Sequence, residues 1–411
     1  MYNMPKKRLH QKTIYIEHTG CSRRGLDTRR FFNYFIANGC KIVKRPYQAD
    51  IIFFITCSYR AYEEDYAVKR IEQLKKNKGQ LIVSGCFPGT NPKRLLSIFN
   101  GISFSRIDNN RVDEIFPSFK IPFSSIPSAS FPYPKSKRYI WYQLAPEMRP
   151  IFNFYHLIKE YIFRRISKKN YCIEIGRGCS APHCTYCKIW RASGDLRSKT
   201  LEKCKEELVN AVKKGFRNII LIADNPGAYG IDIGETLPRL LDCLCANKGQ
   251  FKLEIQSLHP YWLLLYKKEL LRIFGTGKIA SAVFPIQSGS QKIVNAMNRH
   301  YPLGQVADMV RYCKNNFPNM YIGTYIIIGF PTETEADFQA TLTLLKNTPF
   351  DSVHFFAYGH NEYITDKQLL MNQISFNAIN DRMLSALGFC KKNNINAIGC
   401  AKKHLLYGKA L

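Results

Sequence analysis

Apolar and polar positions along this 411-residue chain alternate in blocks whose period changes from two to about four. Residues 12–18 (KTIYIEH), 49–56 (ADIIFFIT) and 80–85 (QLIVSG) are short β-branched and aromatic runs, the pattern of strands. Between them, 27–39 (DTRRFFNYFIANG) and 62–79 (YEEDYAVKRIEQLKKNKG) space their apolar residues as helices do. Asp27 is placed to open the first helix, and glycine closes both. Strand, helix and strand in succession predict a small parallel sheet flanked by helices over residues 12–98. Pro and Ser then accumulate in 116–137 (FPSFKIPFSSIPSASFPYPKSK), so residues 99–170 read as a basic and aromatic linker. Alternation resumes at 171, with strands expected in NYCIEIG, RNIILIAD, FKLEIQS, IASAVFPIQS and MYIGTYIIIGF. Repeated βα units as far as residue 362 predict a partial α/β barrel. Residues 363–411, with NAINDRMLSALGFCKKNNIN, read as a helical C-terminal extension. The expected fold class is α/β, an N-terminal parallel-sheet domain followed by a partial (β/α) barrel.

Composition narrows the function classes. A hydrophobic fraction of 45% suits a globular protein with a sizeable core. No signal peptide is evident at the N-terminus, and no run approaches the length of uncharged apolar residues that a membrane span needs. The chain therefore reads as cytoplasmic, without a membrane partner, and its 14 cysteines as reduced. Clustered cysteines in that compartment point to metal or catalysis. The 60 Lys and Arg against 31 Asp and Glu give a formal net charge of +29, which implies a polyanionic or acidic partner such as RNA or an acidic peptide.

Two cysteine triplets stand out. Cys21, Cys57 and Cys86 each follow or end a predicted strand. In a parallel sheet those ends share one edge, where such folds bind ligands. Cys179, Cys184 and Cys187 lie together in IEIGRGCSAPHCTYCKIWR, residues 173–191. Three thiolates are one short of a closed tetrahedral site and suit an iron–sulfur cluster with one iron left open. Zinc is the alternative for the second triplet, with His183 the local candidate for a fourth ligand. Cys40, Cys172, Cys204, Cys243, Cys245, Cys313, Cys390 and Cys400 read as core residues.

These residues resemble the radical S-adenosylmethionine (SAM) enzymes, and within them the methylthiotransferases. Tyr186 fills the aromatic position before the last cysteine of the family's Cys-x3-Cys-x2-Cys signature, although the first gap here has four residues, Ser180, Ala181, Pro182 and His183. HTGCSRRGLDTRR, ADIIFFITCSYRAYEE and IVSGCFP resemble the family's N-terminal domain at all three cysteines. ILIADNPGAYGID, LHP, PIQSGSQKIVNAMNRHY and YIIIGFPTETEADFQATL resemble its radical domain in the right order. The resemblance covers about residues 12 to 360 and implies a barrel of radical SAM type.

The resemblance implies two [4Fe–4S] clusters and S-adenosylmethionine as cofactors. Cys179, Cys184 and Cys187 would hold the cluster whose free iron binds the cofactor, and one electron would cleave it to a hydrogen-abstracting radical. Cys21, Cys57 and Cys86 would hold an auxiliary cluster that carries the sulfur, and a second cofactor molecule would supply the methyl group. The barrel mouth and the sheet edge would then have to face one another across the substrate. Asp224, Asn225 and Gly227 would meet the methionine amino group, Gln287 and Ser288 would bond the cofactor, and Gly329, Phe330 and Pro331 would pack near adenine. Turn or packing roles are the alternative for each. Thr332 stands at a usual glycine position, and Glu254 replaces a usual arginine. An electron donor such as flavodoxin or ferredoxin and a sulfur donor are implied partners.

The substrate is harder to read. Relatives that modify transfer RNA or a ribosomal protein usually end in a β-barrel RNA-binding TRAM domain, and no strand series for one is expected after residue 363 here. Residues 131–169 interleave aromatics with Lys and Arg, a pattern suited to single-stranded RNA, to an acidic peptide, or to a helix packed on the barrel. With the altered Glu254, the preferred expectation is methylthiolation of a peptide or protein residue, with a transfer RNA nucleoside second. A radical enzyme of different outcome and a non-catalytic metal-bound RNA-binding protein are the competing classes.

Overall fold

A computed structural model describes residues 12–58, 61–135, 170–180, 184–359 and 367–399. The chain divides into two compact units, residues 1–143 and 144–411.

In the first unit β1 (Thr13–His18), β2 (Lys41–Ile42), β3 (Ile51–Thr56), β4 (Gln80–Gly85) and β5 (Ser103–Ser105) form one parallel sheet in the order β2-β1-β3-β4-β5. All six residues of β3 are buried, so the run lacks the polar alternation of a one-faced strand. Its side chains divide by parity. Phe53 and Ile55 join Ile14, Phe31 and Phe35 on one face, while Ile52 and Phe54 join Ala67, Ile71 and Val83 on the other. Each fully buried side chain of this kind contributes about 1.5–3 kcal/mol.

Two expectations change here. The first helix begins at Ser22, not at Asp27. Asp27 lies inside it, where its carboxylate pairs with Arg24 (2.9 Å) and Arg106 (3.2 Å), and burial makes ion pairing worth more to it than capping. The stretch assigned to a linker also belongs, as far as residue 135, to this unit. It supplies β5, and Phe104, Phe116, Phe123 and Ile126 are buried in the first core. Phe123 stacks on Phe31 at 4.6 Å, and the Arg30 guanidinium lies 4.3 Å over the Phe123 ring. Pro and Ser suppress regular structure in this stretch, while the Phe and Ile between them still pack. Residues 136–169 lie outside the described residues, and with them most of the basic and aromatic stretch.

The second unit holds β6 (Asn170–Glu174), the short antiparallel pair β7 (Gly176–Arg177) and β8 (Arg197–Ser198), then β9 (Asn218–Ile222), β10 (Lys252–Ile255), β11 (Ile279–Val283), β12 (Tyr321–Ile328), β13 (Ser352–Ala357) and β14 (Ala397–Gly399). Seven of them make a parallel sheet ordered β14-β13-β12-β11-β10-β9-β6. Helices Leu201–Lys213, Leu237–Cys245, Lys267–Gly275, Leu303–Asn316, Glu335–Asn347 and Phe376–Lys392 alternate with the strands and bury their apolar sides against it. The order is open, as a partial barrel requires. The C-terminal extension is not wholly helical. After Phe376–Lys392 the chain returns as β14 and pairs with β13, since an edge strand of three residues leaves little periodic signal. Cys40, Cys172, Cys204, Cys313 and Cys390 are buried, Cys243 and Cys245 partly so, and Cys400 lies outside the described residues.

Two predictions follow from this packing. Arg70 is buried, and its guanidinium donates to both Glu17 carboxylate oxygens at 2.7–3.1 Å. Glu17→Gln should lower stability by about 3–5 kcal/mol, because it strands a buried cation, whereas Glu17→Leu with Arg70→Met should lose much less. Urea unfolding of the three proteins compares them. Thr332, in the loop after β12, has φ 73. A β-branched residue in the left-handed region costs about 1–2 kcal/mol, and glycine gives back about 0.5–1 in entropy. Thr332→Gly should therefore raise the melting midpoint modestly, and a lowered midpoint would contradict strain at this position.

Candidate functional site

Strands β1, β3 and β4 are neighbours, and each passes at its carboxyl end into one of the first three cysteines. Cys21 caps the helix Ser22–Ala37 in extended backbone, Cys57 follows β3, and Cys86 opens the short helix Phe87–Thr90. Glycines allow the three connections to close on one another. Gly20 and Gly85 have φ of +107 and +106. A Cβ on Gly20 would lie 2.4 Å from Cys57 Cβ and 2.7 Å from its Sγ, and one on Gly85 would lie 2.3 Å from the Thr56 carbonyl oxygen. Both outer connections thus run against the end of the middle strand where no side chain fits. The Cys57 N–H donates to Thr19 Oγ1 and the Cys86 N–H to the Thr56 carbonyl, each at 3.0 Å. Beneath them Glu64 accepts from the Ser58 hydroxyl and from Asn91 Nδ2 (2.7 Å), tying the loop after Cys57 to the segment after Cys86.

The surroundings of this triplet are cationic. Arg24 and Arg106 are buried around the single carboxylate of Asp27. Desolvation acts to raise the Cys21 thiol, but Arg23, Arg24 and Arg106, with the Arg24 backbone N–H, outweigh it and hold the group below the ordinary thiol value. Burial pushes the nearby His18 down to about 4, so its ring is neutral, and Nε2 bonds the Tyr133 carbonyl at 2.9 Å.

The second triplet lies on a loop closed at its base by β7 and β8. Gly178, with φ +84, passes so near the Asp195 carbonyl that a Cβ would lie 1.9 Å from it. The Gly178 N–H donates to Asp224 Oδ2 (3.0 Å), and the Cys179 N–H to the Gly194 carbonyl (3.2 Å). Farther along, Thr185 is fastened to the end of helix Gln291–Ala296, its N–H to the Met297 carbonyl and its hydroxyl to the Ala296 carbonyl. Arg299 is 4% exposed. Its Nη1 donates to Tyr186 Oη at 3.0 Å and lies 3.5 Å from Cys184 Sγ, and its Nη2 donates to the Pro285 carbonyl at 2.6 Å. Asn225 Nδ2 reaches Cys179 Sγ at 3.7 Å. Burial, then the neighbouring Cys187 and Cys184, push the Cys179 thiol up to about 12. Ala181, Pro182 and His183 lie outside the described residues, and with them the enlarged first gap and the zinc alternative.

This donor set fits a cluster. Three thiols crowd one partly buried loop, and Cys187 and Cys184 add to the burial that opposes ionisation of Cys179, a conflict that bound iron would relieve. The buried Arg299 Nε has no hydrogen-bond partner among the described residues. No three Cys, His, Asp or Glu side chains among those residues converge as ligands of one metal ion. A four-iron cluster takes its thiolates at separate corners, so such convergence is not required. Beside the loop is a cavity of about 210 Å³ lined by Ser180, Asn225, His259, Tyr261, Trp262, Asn298 and His300. Burial, with the Arg299 charge adding to it, drives His259 down to about 2, so it is a neutral hydrogen-bonding group. Its Nδ1 accepts from the Tyr261 N–H at 3.1 Å.

The other expected residues separate by environment. Asp224 and Asn225 are drawn to the cysteine loop, and Gly227 has its open side filled by Trp262, whose Cδ1 would lie 2.2 Å from a Cβ there. Gln287 is buried with φ 66, and its Oε1 lacks a partner among the described residues. Ser288 is different: its hydroxyl lies 3.4 Å from Thr341 Oγ1 and accepts from the Ser290 N–H, which is a packing arrangement. Gly329, with φ +82, lets Ile379 approach, and its N–H donates to Glu333. Phe330 and Pro331 are buried, Phe330 in a small cluster against which Tyr186 packs. Glu254 sits on β10 in register with Ile220 of β9, as does Cys172 of β6, and burial raises its carboxyl above the usual range. Arg299, His259 and Trp262 have no assigned role in the sequence reading. The only signal for Arg299 and His259 is membership of the quoted stretches PIQSGSQKIVNAMNRHY and LHP, and Trp262 lies outside them all, because the fold alone brings these side chains to the cysteine loop.

Residues 173–345 match the family model described as Radical SAM superfamily, and residues 13–105 the one described as Uncharacterized protein family UPF0004. The chain is 28% identical over 349 residues to the "Probable threonylcarbamoyladenosine tRNA methylthiotransferase" of Pyrococcus horikoshii, covering 84% of this chain and 76% of that protein. It is 28% identical over 380 residues to the "tRNA-2-methylthio-N(6)-dimethylallyladenosine synthase" of Clostridium perfringens, covering 91% and 81%. The solved structure of the radical S-adenosylmethionine methyltransferase TsrM from Kitasatospora setae shares the fold, with a TM-score of 0.56 at 11% identity over 84% of this chain and 73% of that one. The two family matches follow the order of the two units and the curated relatives span both, so the chain is a transferase of the radical SAM methylthiotransferase family.

Proposed function

We propose that this enzyme attaches a methylthio group to an already modified adenosine of transfer RNA. The observation that carries the reading is that relatives matching 84% and 91% of the chain are named for that chemistry on transfer RNA. The expectation of a peptide or protein substrate has no support among them, and the second reading takes its place. A formal charge of +29 agrees with a phosphate-rich partner.

Cys179, Cys184 and Cys187 would hold a [4Fe–4S] cluster, and Cys21, Cys57 and Cys86 a second. When bound, the first cluster with S-adenosylmethionine supplies the hydrogen-abstracting radical and the second supplies the sulfur. The chain's own residues set the geometry. Asn225 donates to Cys179 and Arg299 to Cys184, and the fastening of Thr185 fixes the loop that carries these thiols. His259, neutral at working pH, offers the cavity a hydrogen bond without charge. Trp262, stacked on Tyr266 with ring centroids 5.9 Å apart, lines one side of the cavity. A flavodoxin- or ferredoxin-class donor would supply the electron, and a sulfur donor would recharge the second cluster.

Cys184→Ala should abolish cleavage of S-adenosylmethionine to 5′-deoxyadenosine, and Cys57→Ala should keep that cleavage while ending methylthiolation. Product at normal yield from Cys57→Ala would remove the role of the second cluster. For substrate, reconstituted enzyme with dithionite and S-adenosylmethionine is offered bulk transfer RNA and short peptides in parallel. Methylthiolated nucleoside in the RNA, seen by mass spectrometry and lost steeply as salt rises, is the expected result. Modified peptide with unmodified RNA would overturn it.

A further inference from the structure

The buried Arg299 guanidinium touches both a ligand thiol of the radical triplet and the aromatic beside it. Three polar contacts define its position: Cys184 Sγ at 3.5 Å and Tyr186 Oη at 3.0 Å from Nη1, and the Pro285 carbonyl at 2.6 Å from Nη2. Its backbone N–H donates to the Val294 carbonyl at the end of helix Gln291–Ala296, and its guanidinium lies 5.6 Å from the Tyr301 ring centroid. Tyr301 is itself fixed, its hydroxyl donating to the Ile286 carbonyl at 2.6 Å. A guanidinium so held has little freedom to withdraw, and it does not lose its proton.

We propose that Arg299 is a positioning residue that sets the reduction potential of the radical cluster through its charge and its N–H bond to Cys184. The reasoning is electrostatic. Thiolate ligation makes the site anionic, and reduction adds one more negative charge at the same place. A fixed cation stabilises the reduced state more than the oxidised one, and an N–H donated to a ligand sulfur draws density from it in the same direction. With Arg299 only 4% exposed, water screens this interaction little. The step affected is the transfer of one electron from a low-potential donor to the oxidised cluster. No bond forms or breaks in that step and Arg299 keeps its proton.

The inference rests on the cluster reading above, and its test separates the two. Full-length protein is reconstituted without oxygen and poised with dithionite against mediators, and the reduced cluster is followed by its paramagnetic resonance signal. The signal belonging to this cluster is the one that changes shape when S-adenosylmethionine is added. At the wild-type midpoint, Arg299→Gln should show about tenfold less reduced relative to oxidised cluster, a shift of about 59 mV to more negative potential. Arg299→Lys, which keeps the charge without the planar fork, should fall between the two. Iron content should stay at the wild-type level in both variants. If Arg299→Gln fails to retain its cluster, Arg299→Lys decides: a negative shift supports the assignment, and an unchanged or more positive midpoint overturns it. An unchanged midpoint in a fully loaded Arg299→Gln overturns it as well. A wild-type protein that assembles no SAM-responsive cluster would instead bring down the functional reading itself.

Discussion

Parallel pairing sends every strand of a sheet toward one edge, and in both units that shared edge decides where the thiols stand. In the first unit three adjacent strands each deliver one cysteine to it. Parallel strands alone would leave those thiols a strand spacing apart with loops splayed between them. The backbone of Gly20 and Gly85 removes that slack by crossing against the end of β3. The glycines are therefore part of the ligand geometry, although neither can bind anything.

The second constraint is charge. Clustered thiolates are expensive to desolvate without cations, and each unit buries guanidinium groups beside them. In the first, Arg24 and Arg106 share one carboxylate and leave a local positive excess that acts on Cys21. In the second, Arg299 is delivered from a helix far along the sequence. Burial gives these cations their leverage, and the Asp27 carboxylate holds the first two in place while the Pro285 carbonyl and the Tyr186 hydroxyl hold Arg299.

How much of this was legible in the sequence depended on the distance over which each feature is encoded. The fully apolar β3 and the cysteines at the strand ends are local patterns, and the topology then makes them neighbours. The start of the first helix was misplaced because Asp27 looks like a cap until Arg106, on a distant loop, claims its carboxylate. Phe104, Phe116 and Phe123 sat among Pro and Ser that read as a connector, and only the surface offered by Phe31 and Phe53 explains their burial. Thr332 is the reverse case. Its departure from glycine was visible in the sequence, and φ 73 gives that departure a physical meaning. Arg299 left no trace beyond its neighbours, since a guanidinium is functional only where the fold puts a sulfur beside it.

Gly20 and Gly85 also bear on how the gene tolerates change. Every single-base substitution in a glycine codon that alters the amino acid installs a residue with a Cβ. At these positions that atom would lie 2.4 Å from Cys57 Cβ or 2.3 Å from the Thr56 carbonyl oxygen, on backbone that already needs positive φ. The nearest mutational neighbours of both codons are therefore all steric lesions beside the thiols. Two inert glycines carry a mutational burden comparable to that of the cysteines they separate.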